Sequence, residues 1–111
     1  MKNPTNIKKL EILGRTVKIE FTSNEIGGEE GTLGVCYFDD QLIRIAKNKK
    51  LLEAPYPVRP RRLDDLWITT LHELIHYALF SLDYKELSED EMFVERFSEV
   101  LYQILKQIFK K

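Results

Sequence analysis

Residues 63–82 read LDDLWITTLHELIHYALFSL, and this stretch decides the fold that the sequence predicts. Its apolar residues recur at intervals of three and four, which is the period of an amphipathic helix. Asp64 and Asp65 lie in the first turn, where negative charge suits the positive end of the helix dipole. We therefore predict a helix over residues 63–82. Its predicted core-facing residues are Leu63, Trp67, Leu71, Leu74, Ala78 and Leu82.

A second helix follows after a break. Residues 83–87 (DYKEL) interrupt the apolar period, which then resumes over residues 88–109. Lysines near the end of this segment suit the negative end of a helix dipole. The predicted core-facing residues of the second helix are Phe93, Val94, Phe97, Leu101, Ile104 and Ile108.

The half of the chain before these helices has the pattern of strands. Arg15–Thr22 alternates apolar and polar residues, as a half-buried strand does. Two further β-rich runs, residues 33–38 and 41–47, flank Asp39-Asp40 and predict a tight hairpin. Strands followed by helices predict an α+β fold with an antiparallel or mixed sheet of about three strands.

Two segments of this half are predicted to connect the elements. Residues 23–31 contain three glycines and three glutamates, which is typical of a loop. Residues 48–62 contain Pro55, Pro57 and Pro60, and three prolines this close exclude a helix or a central strand.

Length and composition narrow the class of protein. The chain has 111 residues, which is the size of one domain, so we expect residues 1–111 to form a single domain. Its formal net charge is −1, whereas nucleic-acid-binding domains usually carry a basic excess. No apolar run is long enough to span a membrane, and the N-terminus lacks the apolar segment of a signal peptide. We expect a cytoplasmic protein without nucleic-acid or membrane partners, whose oligomeric state the sequence leaves open.

The chemistry is indicated by HELIH, residues 72–76, inside the first predicted helix. Spacing of four residues puts His72 and His76 on one helix face, where both imidazoles can hold one metal ion. Glu73 points to the flank of that pair and can act on water without being a ligand. Two imidazoles and a carboxylate are a ligand set of zinc that leaves a position for water.

Coincidence on an amphipathic helix is the alternative interpretation of HELIH. With two histidines and twelve glutamates in the chain, the motif arises by chance roughly two times in a thousand. Because both histidines are used in the motif, a third protein ligand must be a carboxylate. The second helix is the expected source.

The chain resembles the small phage and bacterial metallopeptidase-like proteins related to the ImmA/IrrE family. These have a hairpin, here GVCYFDDQLIRIA (residues 34–46), leading through a connector into HELxH. The resemblance covers most of residues 31–107 and implies a Glu-type zincin with Zn²⁺; the extra DNA-binding or sensor region of longer members is not expected. In the final helix, residues that match the family pattern are Glu91, Val94, Phe97, Leu101 and Leu105, with Ser98 at a place more often held by Ala.

Glu91 is the predicted third ligand, because the family-like helix pattern begins there. The competing carboxylates are Asp90, Glu95 and Glu99. On the predicted helix Glu95 lies well off the apolar stripe and Glu99 lies opposite it, so both are expected to face water. A structural alternative is that Ser88 and Glu91 form a capping box at the start of the helix.

These features predict a zinc-dependent peptidase in which Glu73 is the general base acting on a peptide or protein substrate. Residues 41–47, if they form the edge of the sheet, could bind an extended substrate as an added strand. The alternative is a non-catalytic module whose zinc stabilises a protein-interaction surface.

Several other side chains have chemistry that could serve a function. A lone cysteine in a strand, Cys36, is expected to be a buried apolar residue. The cluster of Arg59, Arg61 and Arg62 is expected to be a solvated loop, and Trp67 a core residue. The candidates for stabilising an oxyanion are Tyr77, Tyr84 and Tyr102.

Overall fold

Strands precede helices along the chain, so the predicted α+β fold is confirmed. The computed structural model describes residues 1–23, 33–50 and 58–110. No helix in these ranges is long and apolar enough to cross a membrane. After a short 3₁₀ turn (Pro4–Asn6), the elements are β1 (Lys9–Ile12), β2 (Arg15–Thr22), β3 (Gly34–Tyr37), β4 (Leu42–Ala46), β5 (Asn48–Lys50), β6 (Val58–Pro60), α1 (Leu63–Ser81), α2 (Lys85–Ser88) and α3 (Glu91–Ile108).

The first four strands form a mixed sheet in the order β1-β2-β4-β3. β4 pairs in parallel with β2 and antiparallel with β3, so the predicted hairpin is confirmed, although its turn comprises residues 38–41 rather than Asp39-Asp40 alone. The condition for substrate pairing with residues 41–47, a position at the sheet edge, is not met, because β4 lies between two strands. Ile43 and Ile45 of β4 are both fully buried, which fits a strand in the interior of the sheet. In the described part of the chain, the outer strand on this side is β3.

β1 is a strand that the sequence did not predict. It pairs antiparallel with β2 across a two-residue turn, Leu13-Gly14, in which both residues have positive φ. Such turns usually carry Asn-Gly or Asp-Gly. Because Leu13 supplies neither signal, the hairpin has no clear signature in the sequence.

The two predicted connecting segments have different outcomes. The ends of the proline-rich connector, β5 and β6, pair antiparallel as a separate two-stranded ribbon. A two-stranded ribbon has no central strand, so Pro60 is tolerated there. The middle of the connector, residues 51–57, and nearly all of the predicted loop at 23–31 lie outside the described residues.

The core lies between one face of the sheet and α1. It contains two residues from β2, two from β4 and two from α1: Val17, Ile19, Ile43, Ile45, Leu66 and Tyr77.

The face of α1 that packs on this sheet differs from the predicted one. Leu63 and Leu82 were predicted to face the core but are exposed. The reason is that α1 contacts the sheet on one side and α3 on another. A helix covered on two sides is apolar around much of its circumference, so its sequence does not specify a single stripe.

The helix ends explain the predicted break. The backbone N–H of Asp83 donates to Phe80 O, and that of Tyr84 donates to Leu79 O, as in a Schellman motif. Asp83 takes the positive φ that this motif requires. The short α2 begins inside the predicted break and ends at Ser88, so α3 begins at Glu91 rather than at the predicted Ser88.

α3 runs antiparallel to α1, and its buried face is Val94, Ser98 and Tyr102. The Tyr102 hydroxyl donates to the Asp64 carboxylate in the first turn of α1. The predicted core stripe, centred near Phe97 and Ile104, is turned away by about 100° at the helix period. Of the predicted core residues, Val94 is buried, whereas Phe97, Ile104 and Ile108 are exposed.

Candidate metal centre

The two histidines of HELIH lie one turn apart on α1 and point to the same place. Their side chains are 14% and 10% exposed, so both imidazoles are largely shielded from solvent. The Nε2 atoms of His72 and His76 are 3.1 Å apart. Two ring nitrogens brought this close can bind one metal ion together.

Glu91, the first residue of α3, completes this group. Its Oε2 lies 3.1 Å from His72 Nε2, and its Oε1 lies 2.9 Å from His76 Nε2. Donor atoms bound tetrahedrally at zinc are separated by about 3.3 Å, given Zn–N and Zn–O bonds of about 2.0–2.1 Å. The separations and the donor types therefore fit zinc, and we name His72, His76 and Glu91 the His-His-Glu group.

Two further side chains lie against the outer ring nitrogens. Glu95 Oε2 is 2.9 Å from His72 Nδ1, although it is not aligned for a good hydrogen bond. Ser88 Oγ is 3.5 Å from His76 Nδ1 and donates to the His76 carbonyl at 3.1 Å. An imidazole that binds metal through Nε2 carries its proton on Nδ1. Ser88 Oγ lies where it can accept that proton from His76, whereas Glu95 would have to reorient slightly to accept from His72.

Glu73 is buried inside the protein. Burial raises the pKa of Glu73 to about 8, and the negative charges of Glu91 and Glu95 contribute to the same shift. Burial also lowers the pKa of His76, against the opposing effect of the Glu91 charge. A lower pKa favours the neutral imidazole, which is the form that binds metal.

β3 approaches α1 at the same level as this glutamate. A Cβ at Gly34 would lie 2.7 Å from Thr69 Cγ2 and 3.0 Å from Glu73 Oε2. Both distances are too short for a side chain, so only glycine allows this approach. β3 therefore forms one wall of the site and α3 forms the other.

The candidate carboxylates of α3 have separate places in the structure. Glu91 lies against both histidines, whereas Asp90 caps α3 by accepting from the backbone N–H of Phe93 at 3.1 Å. The alternative of a Ser88–Glu91 capping box is excluded, because Asp90 is the cap and Ser88 contacts His76. Glu95 is exposed, as predicted, with 51% of its side chain accessible, yet its carboxylate also contacts His72. Because the buried face is centred on Ser98, Glu91 and Glu95 lie on the flank beside α1.

The tyrosines predicted as oxyanion stabilisers are not brought to this group. Tyr77 is fully buried in the core, and the hydroxyl of Tyr102 is bonded to Asp64. Tyr84 is 60% exposed beyond the end of α1, with no described contact to the histidines. The oxyanion role therefore has no tyrosine in position among these three.

Cys36 and Trp67 were both predicted to have structural roles. Cys36 packs against the core, and burial, followed by the charge of Glu73, raises the pKa of its thiol to about 12. That thiol stays neutral, in keeping with an apolar role. Trp67, expected in the core, is only partly buried and donates from Nε1 to the Lys2 carbonyl at 2.7 Å.

Arg61 contradicts the expected solvated arginine cluster. It is 8% exposed, and burial lowers its pKa. Its guanidinium donates to the carbonyl oxygens of Ala46 and Asp65 and to Thr69 Oγ1. Arg61 thereby joins the end of β4 to the first turns of α1, while Arg62 is exposed.

Sequence reasoning missed Ser88 and Gly34. Ser88 was assigned to a helix cap because of its distance from Glu91 in the sequence, and Gly34 was not singled out. A glycine at the start of a strand signals a close approach only once the neighbouring helix is known.

Comparison of the chain with models of protein families, with curated proteins and with solved structures finds no match. The functional argument therefore depends on the residues and geometry of this chain.

Proposed function

We propose that this protein is a zinc-dependent peptidase of the Glu-type zincin class, related to the ImmA/IrrE family. The observation that carries the proposal is the convergence of the His-His-Glu group beside the buried Glu73. Two imidazoles and one carboxylate leave a zinc ion with an open position, as in catalytic rather than structural sites. A carboxylate next to that position, not bound to the metal, is what hydrolysis requires.

Each residue has a distinct role in this proposal. His72, His76 and Glu91 hold the metal, which when bound supplies Lewis acidity that acidifies water and polarises the substrate carbonyl. Glu73 accepts the proton of the attacking water and delivers it to the leaving amine. A zinc ion held beside Glu73 would favour the charged carboxylate and so offset the burial that raises its pKa, which leaves Glu73 able to accept the proton. Glu95 and Ser88 orient the two imidazoles.

β3 is the proposed binding edge for the substrate. It is the outer strand of the described sheet, and Gly34 brings it next to Glu73. An extended peptide that added to this edge would lie along the cleft between β3 and α3. Backbone pairing gives general affinity for peptides, so we propose a peptide or protein substrate.

A groove beside His72 offers space for a substrate side chain. It has a volume of about 360 Å³ and lies along the first turns of α1. The residues that line it are Leu33, Arg61, Asp65, Ile68, Thr69, His72, Glu95 and Glu99. We place the activity in the cytoplasm, in keeping with the expectation from the sequence.

A non-catalytic, zinc-stabilised interaction module is the second candidate. It is favoured by the way Glu91 joins α3 to α1 through the two histidines, as a structural metal would. The two functions make opposite predictions for Glu73, which is beside the group but is not one of its ligands.

The test compares wild type with Glu73→Gln, both loaded with zinc and assayed with a peptide library. We expect one zinc per chain in both proteins and a fall in hydrolysis of several orders of magnitude in Glu73→Gln, because the amide cannot accept the proton. His76→Ala is the control and should lose both zinc and hydrolysis. Equal turnover in wild type and Glu73→Gln would contradict the proposal, and so would zinc-loaded wild type without any turnover.

A further inference from the structure

α3 has a second face that the metal centre does not use. Phe97, Val100, Ile104 and Ile108 are 47%, 54%, 47% and 64% exposed, and we call these four the open face of α3. At the helix period, this face is centred about 180° from Glu95. Contiguous apolar surface of this kind marks an interaction site in soluble proteins.

The positions of these residues favour a second copy of the same chain as the occupant. The apolar residues along this side of α3 are at positions 93, 97, 100, 101, 104 and 108. Their intervals of 4, 3, 1, 3 and 4 read the same in both directions. Such a helix face matches itself when two copies run antiparallel about a two-fold axis. We propose that the open face of α3 pairs antiparallel with the open face of a second copy.

The axis of this pairing passes between Val100 and Leu101. Phe97 of each copy then faces Ile104 of the other, and Phe93 faces Ile108. The Phe93 and Phe97 rings are stacked with centroids 5.6 Å apart, which presents a fixed aromatic surface to the opposing isoleucines.

The two ends of the face are different. The first half of α3 carries a groove of about 470 Å³, whereas Ile108 is 64% exposed at the other end. Antiparallel pairing directs Ile108 of one copy to the groove of the other. The residues that line the groove are Asp90, Met92, Phe93, Arg96, Phe97 and Val100.

Charge selects the antiparallel orientation. The exposed carboxylate of Asp90 lies at the beginning of the face and lines its groove. Antiparallel helices keep the two Asp90 carboxylates apart and oppose the helix dipoles. Parallel helices would instead bring the two Asp90 carboxylates together.

This assembly leaves both metal centres accessible. Glu91 and Glu95 lie on the flank of α3 that contacts α1, away from the open face. Self-association and metal binding are therefore separate properties of the two flanks of one helix.

The first test measures the mass of the protein by sedimentation equilibrium over a range of micromolar concentrations. We expect a monomer–dimer equilibrium in wild type that Phe97→Glu and Val100→Glu each shift to monomer. Gln103→Glu is the matched control, because it adds the same charge to an exposed position outside the open face. A wild type that stays monomeric, or a dimer that survives both substitutions, would overturn the proposal. Circular dichroism verifies that each variant remains folded.

The second test measures orientation by cross-linking with a short bis-maleimide in a Cys36→Ser background. Val100→Cys lies beside the axis and should cross-link to itself, whereas Glu99→Cys on the opposite flank should not. Phe93→Cys and Ile108→Cys should cross-link when mixed but not separately, because like positions are about 22 Å apart along antiparallel helices. Self-cross-linking of Phe93→Cys would indicate parallel pairing and contradict the proposal.

Discussion

β3 and α3 form opposite walls of the same cleft, and they contribute to it in opposite ways. α3 brings carboxylates, since Glu91 lies within 3.1 Å of both histidines. β3 comes close to α1 because Gly34 has no side chain, and a Cβ at this position would clash with Thr69 and Glu73. One wall provides ligands and the other provides room beside the proposed base.

In the proposed peptidase, this difference makes metal binding depend on α3 and substrate access depend on β3. A change in the α3 wall should alter zinc affinity, whereas a change in the β3 wall should alter hydrolysis while zinc stays bound. Substitutions in the two walls can therefore separate these properties.

The largest effect in the β3 wall is expected from Gly34→Ala. The added methyl would lie 2.7 Å from Thr69 Cγ2, so β3 must move away from Glu73. A displacement of about 1 Å near a reaction centre costs up to about 100-fold in rate. We expect a loss of that order in kcat/KM for peptide hydrolysis, with zinc stoichiometry unchanged.

A second substitution provides the matched control for this clash. Thr69→Ser removes Cγ2 and keeps the hydroxyl that accepts from Arg61. Gly34→Ala combined with Thr69→Ser should recover part of the lost activity. If the double variant is no more active than Gly34→Ala, the contact between β3 and α1 does not limit the reaction as described.

A smaller effect is expected from Ser88→Ala, which tests the outer contacts of the histidines. Loss of such contacts typically lowers metal affinity by about 10–100-fold, and the 3.5 Å separation from His76 Nδ1 favours the lower end. Competition titration with a zinc chelator measures the change. Ser98→Ala is the control, since Ser98 is also buried but its Oγ donates to the Glu95 carbonyl. Equal affinities in the two variants would show that Ser88 does not support the ligand.

The sequence predicted α1, α3, β2 and the β3–β4 hairpin because each has a strong local signal. HELIH also predicted that His72 and His76 share a helix face, since four residues make about one turn. The position of β4 inside the sheet was not predictable in the same way, because parallel pairing with β2 joins segments far apart in sequence.

The α3 flank shows why the rest of the site was harder to predict. Amphipathicity selected Phe97 and Ile104 as the core stripe, yet α1 covers Val94, Ser98 and Tyr102. Amphipathicity identifies the most apolar face of a helix but does not specify which element covers it. This rotation turned Glu95 towards His72 and left Glu91, chosen from the family-like pattern, in contact with both histidines.

Zinc titration of wild type, Glu91→Gln and Glu95→Gln tests most directly whether the His-His-Glu group is the metal centre. We predict one zinc per chain in wild type and a loss of affinity in Glu91→Gln beyond the factor of about 10–100 typical of outer contacts, because a direct ligand is lost. Glu95→Gln should fall within that range. Unchanged affinity in Glu91→Gln, or a larger loss in Glu95→Gln, would contradict the assignment of Glu91 as the third ligand.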